Sequence, residues 1–176
     1  SAADGHTLMM ISATTVIYPI LYNSRYDVGR DFTPVGQMTA QGYALVVHPS
    51  IAAKSVSALV QYIRANPGKL NYASWGIGSP IHMSTELFQI ATGTRMTHVP
   101  FKGMGAAYAD LVGGRIQLSF ATIISSLPHV NAGRLRALAV TPGKRAPAMP
   151  SVPTLTEAGV PVVVVNWYGL IAPPKT

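Results

Sequence analysis

Glycines, hydroxyls and one loop lysine are the residues with chemistry to offer in this sequence. The most informative stretch is Ser74-Trp75-Gly76-Ile77-Gly78-Ser79-Pro80. Two glycines let a backbone turn tightly and approach a ligand closely. Ser79 is placed to cap a helix, and Pro80 suits the first helical position, where its missing N–H costs nothing. N–H groups at such a helix start favour an anion, by up to about 2 kcal/mol when partly buried. An ordinary strand-to-helix turn accounts for the same residues. The stretch is not a phosphate loop, because no Lys-Ser or Lys-Thr follows the glycines. Nor is it a nucleophile elbow, because Ile81 stands where the second Gly of Gly-x-Ser-x-Gly belongs.

A second glycine-bearing loop, Pro100-Phe101-Lys102-Gly103-Met104-Gly105, also opens a helix. Lys102 either adds positive charge for an anion or is a solvated loop lysine. His6, His48, His82, His98 and His129 make no short metal spacing such as His-x-x-x-His. His82 falls in the first turn of the helix after Ser79, as a ligand-facing group or as a satisfied structural histidine. Asp4, Asp27, Asp31, Asp110, Glu86 and Glu157 form no pair suited to general acid–base work, and no nucleophile–base pair is visible. No catalytic residue, metal or cofactor is therefore expected. Trp75 can wall a pocket; Trp167 and Tyr168 read as core packing.

The composition agrees with a binding module. The chain has 176 residues, 48% of them hydrophobic and 11% charged, enough for a packed core and too few charges for disorder. Thirteen Lys and Arg against six Asp and Glu give +7, which favours anionic partners. The basic residues are dispersed, with Arg134, Arg136, Lys144 and Arg145 the nearest to a cluster. Aromatic residues do not interleave with them, so nucleic acid is not an expected partner. The absence of cysteine excludes disulfides, thiolate zinc sites and cysteine nucleophiles. No stretch approaches the roughly 18 apolar residues that span a bilayer, so direct membrane insertion is not expected.

The elements that must position these loops follow from periodicity. Residues 1–5 read as a helix end and turn. Strands are expected over 7–11, 31–39, 43–48, 70–73, 96–99, 116–120, 135–141 and 162–171. Helices are expected from Ser12 or Thr14 to about 22, from Ser55 to 66, and over 80–91, 105–112 and 123–132, the last interrupted by Pro128 near its start. A one-turn helix is expected over 154–158. The second helix shows its apolar face plainly, with Val56, Leu59, Val60 and Ile63 at i, i+3, i+4 and i+7. Strand-helix-strand units repeating every 20 to 25 residues or so predict an α/β fold with a mainly parallel sheet and helices on both faces. Ligands of such folds bind at the loops after the strands, here 11–15, 74–80, 100–105 and 121–125.

In order along the chain stand Asn71-Tyr72-Ala73-Ser74-x-Gly-x-Gly-Ser, Glu86-Leu87-Phe88 and Thr97-His98-Val99-Pro100-Phe101-Lys102-Gly103. Then come Asp110-Leu111-Val112-Gly113-Gly114 and Leu135-Arg136-Ala137-Leu138-Ala139-Val140-Thr141. Val152-Pro153-Thr154-x-x-Glu157-Ala158-Gly159 and Trp167-Tyr168-Gly169-Leu170-x-Ala172-Pro173 complete the set. This ordered set resembles the tripartite tricarboxylate transporter substrate-binding proteins, the Bug or TctC-type extracytoplasmic solute receptors, over nearly the whole chain. The resemblance implies a periplasmic binding protein of the type II fold, whose two α/β lobes close on a carboxylate held by backbone amides, hydroxyls and waters. It implies a periplasmic location and, as partners, a small carboxylate solute and the membrane subunits of a tripartite tricarboxylate-type transporter.

Carried over by position, residues 1–40 match part of lobe one, 41–162 match lobe two, and 163–176 match a crossing strand returning to lobe one. The ligand contacts implied are Ser12, Ala13 and Thr14, then Ser74, Trp75, Gly76, Gly78 and Ser79, then Lys102 and Gly103, then Ala121 and Thr122. Family members begin earlier, with a strand and a Pro-Gly-Gly loop, and end later, so the chain is expected to be a fragment. Many also carry Asp where this chain has Ala121, which alters recognition of a ligand's polar end. Two other readings are the effector-binding domain of a transcription regulator and an enzyme on a related two-lobed scaffold; the receptor motifs and the missing catalytic set argue against both.

Overall fold

The computed structural model describes residues 6–174, so the turn expected over 1–5 lies outside the described residues. The elements run β1 (Met9–Ser12), α1 (Ala13–Leu21), β2 (Thr33–Gln41), β3 (Tyr43–Val47), α2 (Val56–Ala65), β4 (Asn71–Ser74) and α3 (Pro80–Thr92). They continue with β5 (Thr97–Pro100), α4 (Met104–Val112), β6 (Leu118–Thr122), α5 (Ile123–Asn131), β7 (Arg136–Val140) and β8 (Asn166–Ala172). They fall into two compact units: Ser1–Gln41 with Asn166–Thr176, and Gly42–Val165.

The larger unit is built on a five-stranded sheet of order β5-β4-β6-β3-β7. β4 pairs in parallel with β5 and β6, whereas β3 runs antiparallel to both β6 and β7. Four strands thus share one direction, and β3 alone runs against them, inserted between β6 and β7. Its unbroken apolar run, Tyr-Ala-Leu-Val-Val, is that of a central strand buried on both faces, and all five residues are buried. Side chains alternate along it, so Tyr43, Leu45 and Val47 enter one core cluster while Ala44 and Val46 enter the other.

Helices cover both faces. Val56, Leu59 and Ile63 of α2 and Ile81 and Phe88 of α3 join the first cluster; Ala107 and Leu111 of α4 and Ile123 of α5 join the second. Each fully buried Val, Leu, Ile or Phe side chain among them contributes about 1.5–3 kcal/mol. α2 shows how locally its ends are set: the Ser55 hydroxyl accepts the Ala58 N–H at 3.1 Å, and Asn66-Pro67 ends it.

The smaller unit departs from the parallel expectation. Its three strands form an antiparallel sheet with β8 in the middle, flanked by β1 and β2. α1 buries none of its residues, and Met10, Ile20, Val35 and Met38 are all more than half exposed. Trp167, expected in the core, is only half-buried, and lines a cavity of about 540 Å³ with Ile11, Phe32 and Leu170.

Three local expectations also need correction. Residues 154–158 form a hydrogen-bonded turn rather than a helix. Thr154 and Glu157 close on each other there, the Thr154 N–H donating to Glu157 Oε2 at 2.8 Å and the Glu157 N–H to Thr154 Oγ1 at 3.0 Å. Gly159, at φ +84°, and Pro161 prevent further turns. The last strand begins at Asn166 rather than 162. Residues 162–165 are ladder-free because the hydrogen bonds of this stretch to β7's end go to Thr141 alone, through Val164. Pro128 lies in the second half of α5, not near its start. Among the described residues no helix is long and apolar enough to cross a membrane.

Candidate functional site

β5, β4 and β6 are parallel neighbours, so their carboxyl ends open on one edge of the larger sheet. From that edge three connections lead directly into the N-termini of α3, α4 and α5. This is where open α/β sheets hold ligands.

The connection from β4 to α3 is braced from within. Gly76 (φ +117°) and Gly78 (φ +75°) take backbone conformations that residues with a Cβ rarely adopt. Ser74 is fully buried, and its Oγ lies 3.0 Å from the Gly76 N, 3.1 Å from the Gly76 O and 2.6 Å from His98 Nε2. Ser79 caps α3: its Oγ accepts the His82 N–H at 3.3 Å and its carbonyl accepts the Met83 N–H at 2.9 Å. The Gly78 N–H donates to His82 Nδ1 at 3.3 Å. The expectation that this helix start presents a row of free N–H groups therefore needs correction. Pro80 has none and His82's is capped, which leaves only that of Ile81 in the first turn. The loop presents Trp75, Gly76 and Ile77 to solvent, while Gly78 and Ser79 are buried.

Beneath the loop lies a polar network that sequence reasoning missed. The parallel register sets His98 of β5 beside Tyr72 of β4, and their rings stack at 4.9 Å. The His82 and His98 rings are 4.4 Å apart. Glu86 Oε1 accepts from the Tyr72 hydroxyl at 2.6 Å and from Gln89 Nε2 at 2.7 Å, while Gln89 Oε1 accepts the Met96 N–H at 2.5 Å. Burial, and then the neighbouring His82 charge, push the His98 imidazole below its ordinary pKa. Burial and the bond to Glu86 raise the Tyr72 phenol well above its own. The signal in the sequence was slight: Tyr72-x-Ser74 places two polar groups on one face of a strand, and His82 stands four residues after Gly78.

The connection from β5 to α4 is built differently. Lys102 is exposed, and Gly103, at φ +145°, is the N-cap of α4 with no side chain to cap it. Ala107 N–H returns to the Gly103 carbonyl at 3.3 Å. The N–H groups of Met104, Gly105 and Ala106 have no partner among the described residues, and Gly105 and Ala106 are exposed. At the third connection, a chain of hydroxyls runs from Thr122 Oγ1 to Ser125 Oγ at 2.5 Å and on to Tyr108 of α4 at 2.8 Å. Tyr108 stacks on His129 at 4.5 Å, and burial raises its phenol pKa despite the Ser125 bond. Ala121 is fully buried in the second core cluster, so it offers the edge backbone only.

Ser12, Ala13 and Thr14 belong to the smaller unit. Ser12 caps α1, and its N–H donates to Thr15 Oγ1 at 3.5 Å. Ser74 and Thr122 end strands β4 and β6 of the larger unit, and Trp75, Gly76, Gly78, Ser79, Lys102 and Gly103 fall on the loops at the same sheet edge. Among the described residues no group of three His, Asp or Glu is placed to hold a metal.

A family model, the tripartite tricarboxylate transporter family receptor, matches residues 1–176. Protein BugT of Bordetella pertussis is 35% identical over 180 residues, covering 100% of this chain and 55% of BugT. The solved structure of R. palustris Rpa4515 with adipate superposes with a TM-score of 0.91 at 37% identity, covering 100% of this chain and 60% of that one. MatC from Rhodopseudomonas palustris with bound malate gives 0.85 at 32% identity, covering 98% and 60%. The chain thus spans just over half the length of the curated relatives it matches. The motifs from Asn71 to Pro173, the α/β sheet and the full-length match converge: the chain belongs to the tripartite tricarboxylate transporter receptor family.

Proposed function

We propose that this chain carries ligand-holding elements of a periplasmic receptor that captures a small carboxylate for a tripartite tricarboxylate-type membrane transporter. The observation that carries the reading is the bare start of α4 beside Lys102, on the same sheet edge as the braced glycine loop. A carboxylate oxygen there accepts from the N–H groups of Met104, Gly105 and Ala106, a geometry worth up to about 2 kcal/mol when water is partly excluded. Lys102 adds a positive charge, and the overall charge of +7 raises the local concentration of anions. Gly103 lets the backbone come close. The Ser74–Ser79 loop, with Trp75, supplies a wall of fixed shape, and Thr122 with Ser125 supplies hydroxyls. Ser12, Ala13 and Thr14 are the smaller unit's own candidate contacts, and the two units are read as counterparts of the family's two lobes. The relatives solved with adipate and with malate make diacids the first ligands to try.

The same geometry supports binding without catalysis. Ser74 and His98 are hydrogen-bonded, yet Ser74 is fully buried with every hydroxyl contact taken, and no carboxylate among the described residues hydrogen-bonds His98. The pair lacks both access to substrate and an orienting acid.

A thermal-shift screen of the full-length gene product against citrate, malate, adipate, acidic amino acids and benzoates tests the reading. A ligand at about 100 times its Kd adds about 2.7 kcal/mol of stability, several degrees in Tm. A shift confined to one class of acid is expected. Shifts with neutral solutes and none with any acid would overturn the carboxylate assignment.

A further inference from the structure

The two histidines under the glycine loop hold it by different atoms, and the hydrogen-bond inventory fixes which. Ser74 Oγ meets three groups, the Gly76 N–H, the Gly76 carbonyl and His98 Nε2. A hydroxyl has one proton to give and two lone pairs to receive with. All three contacts are satisfied together only when His98 donates from Nε2, Gly76 N–H donates to Oγ, and Oγ donates to the Gly76 carbonyl. His98 therefore locks the Ser74 hydroxyl into the orientation that clamps Gly76. His82 works the opposite way. Its Nδ1 accepts the Gly78 N–H, so its proton sits on Nε2, which points at Glu86 Oε1 4.0 Å away. Glu86 in turn accepts from Tyr72 and Gln89.

We infer that His82 and His98 are positioning residues of the ligand loop, holding the Gly78 and Gly76 backbone in its positive-φ shape without contacting ligand. The inference deepens the carboxylate-receptor reading and, for its effect on affinity, rests on it.

The test uses amide hydrogen exchange in the ligand-free full-length gene product, with adipate and malate titrations alongside. His82→Ala is expected to reduce protection of the Gly78 amide about tenfold, and His82→Asn, whose Oδ1 stands near the lost Nδ1, to restore it. His98→Ala is expected to do the same to Gly76, with rescue by His98→Gln. Amides of Leu45 and Phe120 report whether each variant keeps its core. Equal Gly78 protection in wild type and His82→Ala, or no rescue of it in a folded His82→Asn, would overturn the inference. In the titrations the alanine variants bind the acid about tenfold more weakly and the rescue variants bind near normally. A wild type that takes neither these two acids nor any other acid of the thermal-shift panel sinks the carboxylate reading, while the exchange data still decide the positioning role.

Discussion

The β4–α3 and β5–α4 connections stand on neighbouring parallel strands and are built on opposite plans. The first spends its polar groups on itself: Ser74, Ser79 and His82 hold loop or helix-cap backbone, His98 holds the Ser74 hydroxyl, and its helix start is capped. The second spends almost nothing on itself: Gly103 has no side chain to cap with, and three N–H groups at the start of α4 have no partner among the described residues. A loop that satisfies its own donors keeps its shape but has little left to offer a ligand. A loop that leaves donors open is ready for an anion, and in isolation has little to keep it in place. In the function proposed, the braced loop supplies form and the open one supplies affinity.

Substitutions separate the two plans. The helix that the braced loop opens is seated on the first core cluster, where Phe88 of α3 meets Phe120 of β6 edge-on at 5.9 Å. Phe88→Ala is expected to cost about 3–5 kcal/mol in urea unfolding. Gly103→Ala meets open space but a φ of +145°, so the cost is backbone strain alone, about 1–3 kcal/mol. It is expected to weaken acid binding more than Gly76→Ala, because Gly103 sits at the open donors. Ser79→Ala removes a real cap and costs about 1 kcal/mol in chemical denaturation; the bare α4 has no equivalent to lose. Acidification separates them next. The His98 pKa lies below its ordinary 6.5 when folded, so the unfolded chain takes up that proton first as pH falls. Stability is then lost through that range, and the loss ends below the folded pKa. His98→Gln flattens this part of a Tm–pH curve. Lys102→Ala, on the open loop, changes stability by less than about 0.5 kcal/mol. It lowers affinity for a dianion, and the deficit shrinks as salt rises.

What the sequence made legible follows the range of the interactions concerned. Helix α2 was readable because its cap, its apolar face and its stop all lie within twelve or so residues of one another. The ordered motifs from Asn71 to Pro173 carried the family. The direction of β3 was not readable, since an apolar run looks the same in either sense. The antiparallel sheet of the smaller unit depends on β8, which follows β1 by more than a hundred residues. At the site, both loops and their glycines were visible, but not that the α3 start is capped while the α4 start is left open. Ser79 and Pro80 announce a helix start so clearly that they also fill it, whereas Gly103 announces little and leaves its helix open. The histidine pair was hidden because His98 meets Ser74 and Tyr72 through strand register, not through spacing along the chain.

The central claim is that negative charge on the ligand is met by open backbone donors and Lys102. The most direct measurement is a calorimetric titration of the full-length gene product with adipate and with its neutral diamide, which keeps length and shape but removes both charges. Binding of the acid, with the diamide at least about a hundredfold weaker, is the predicted result. Equal binding of the two would contradict the account.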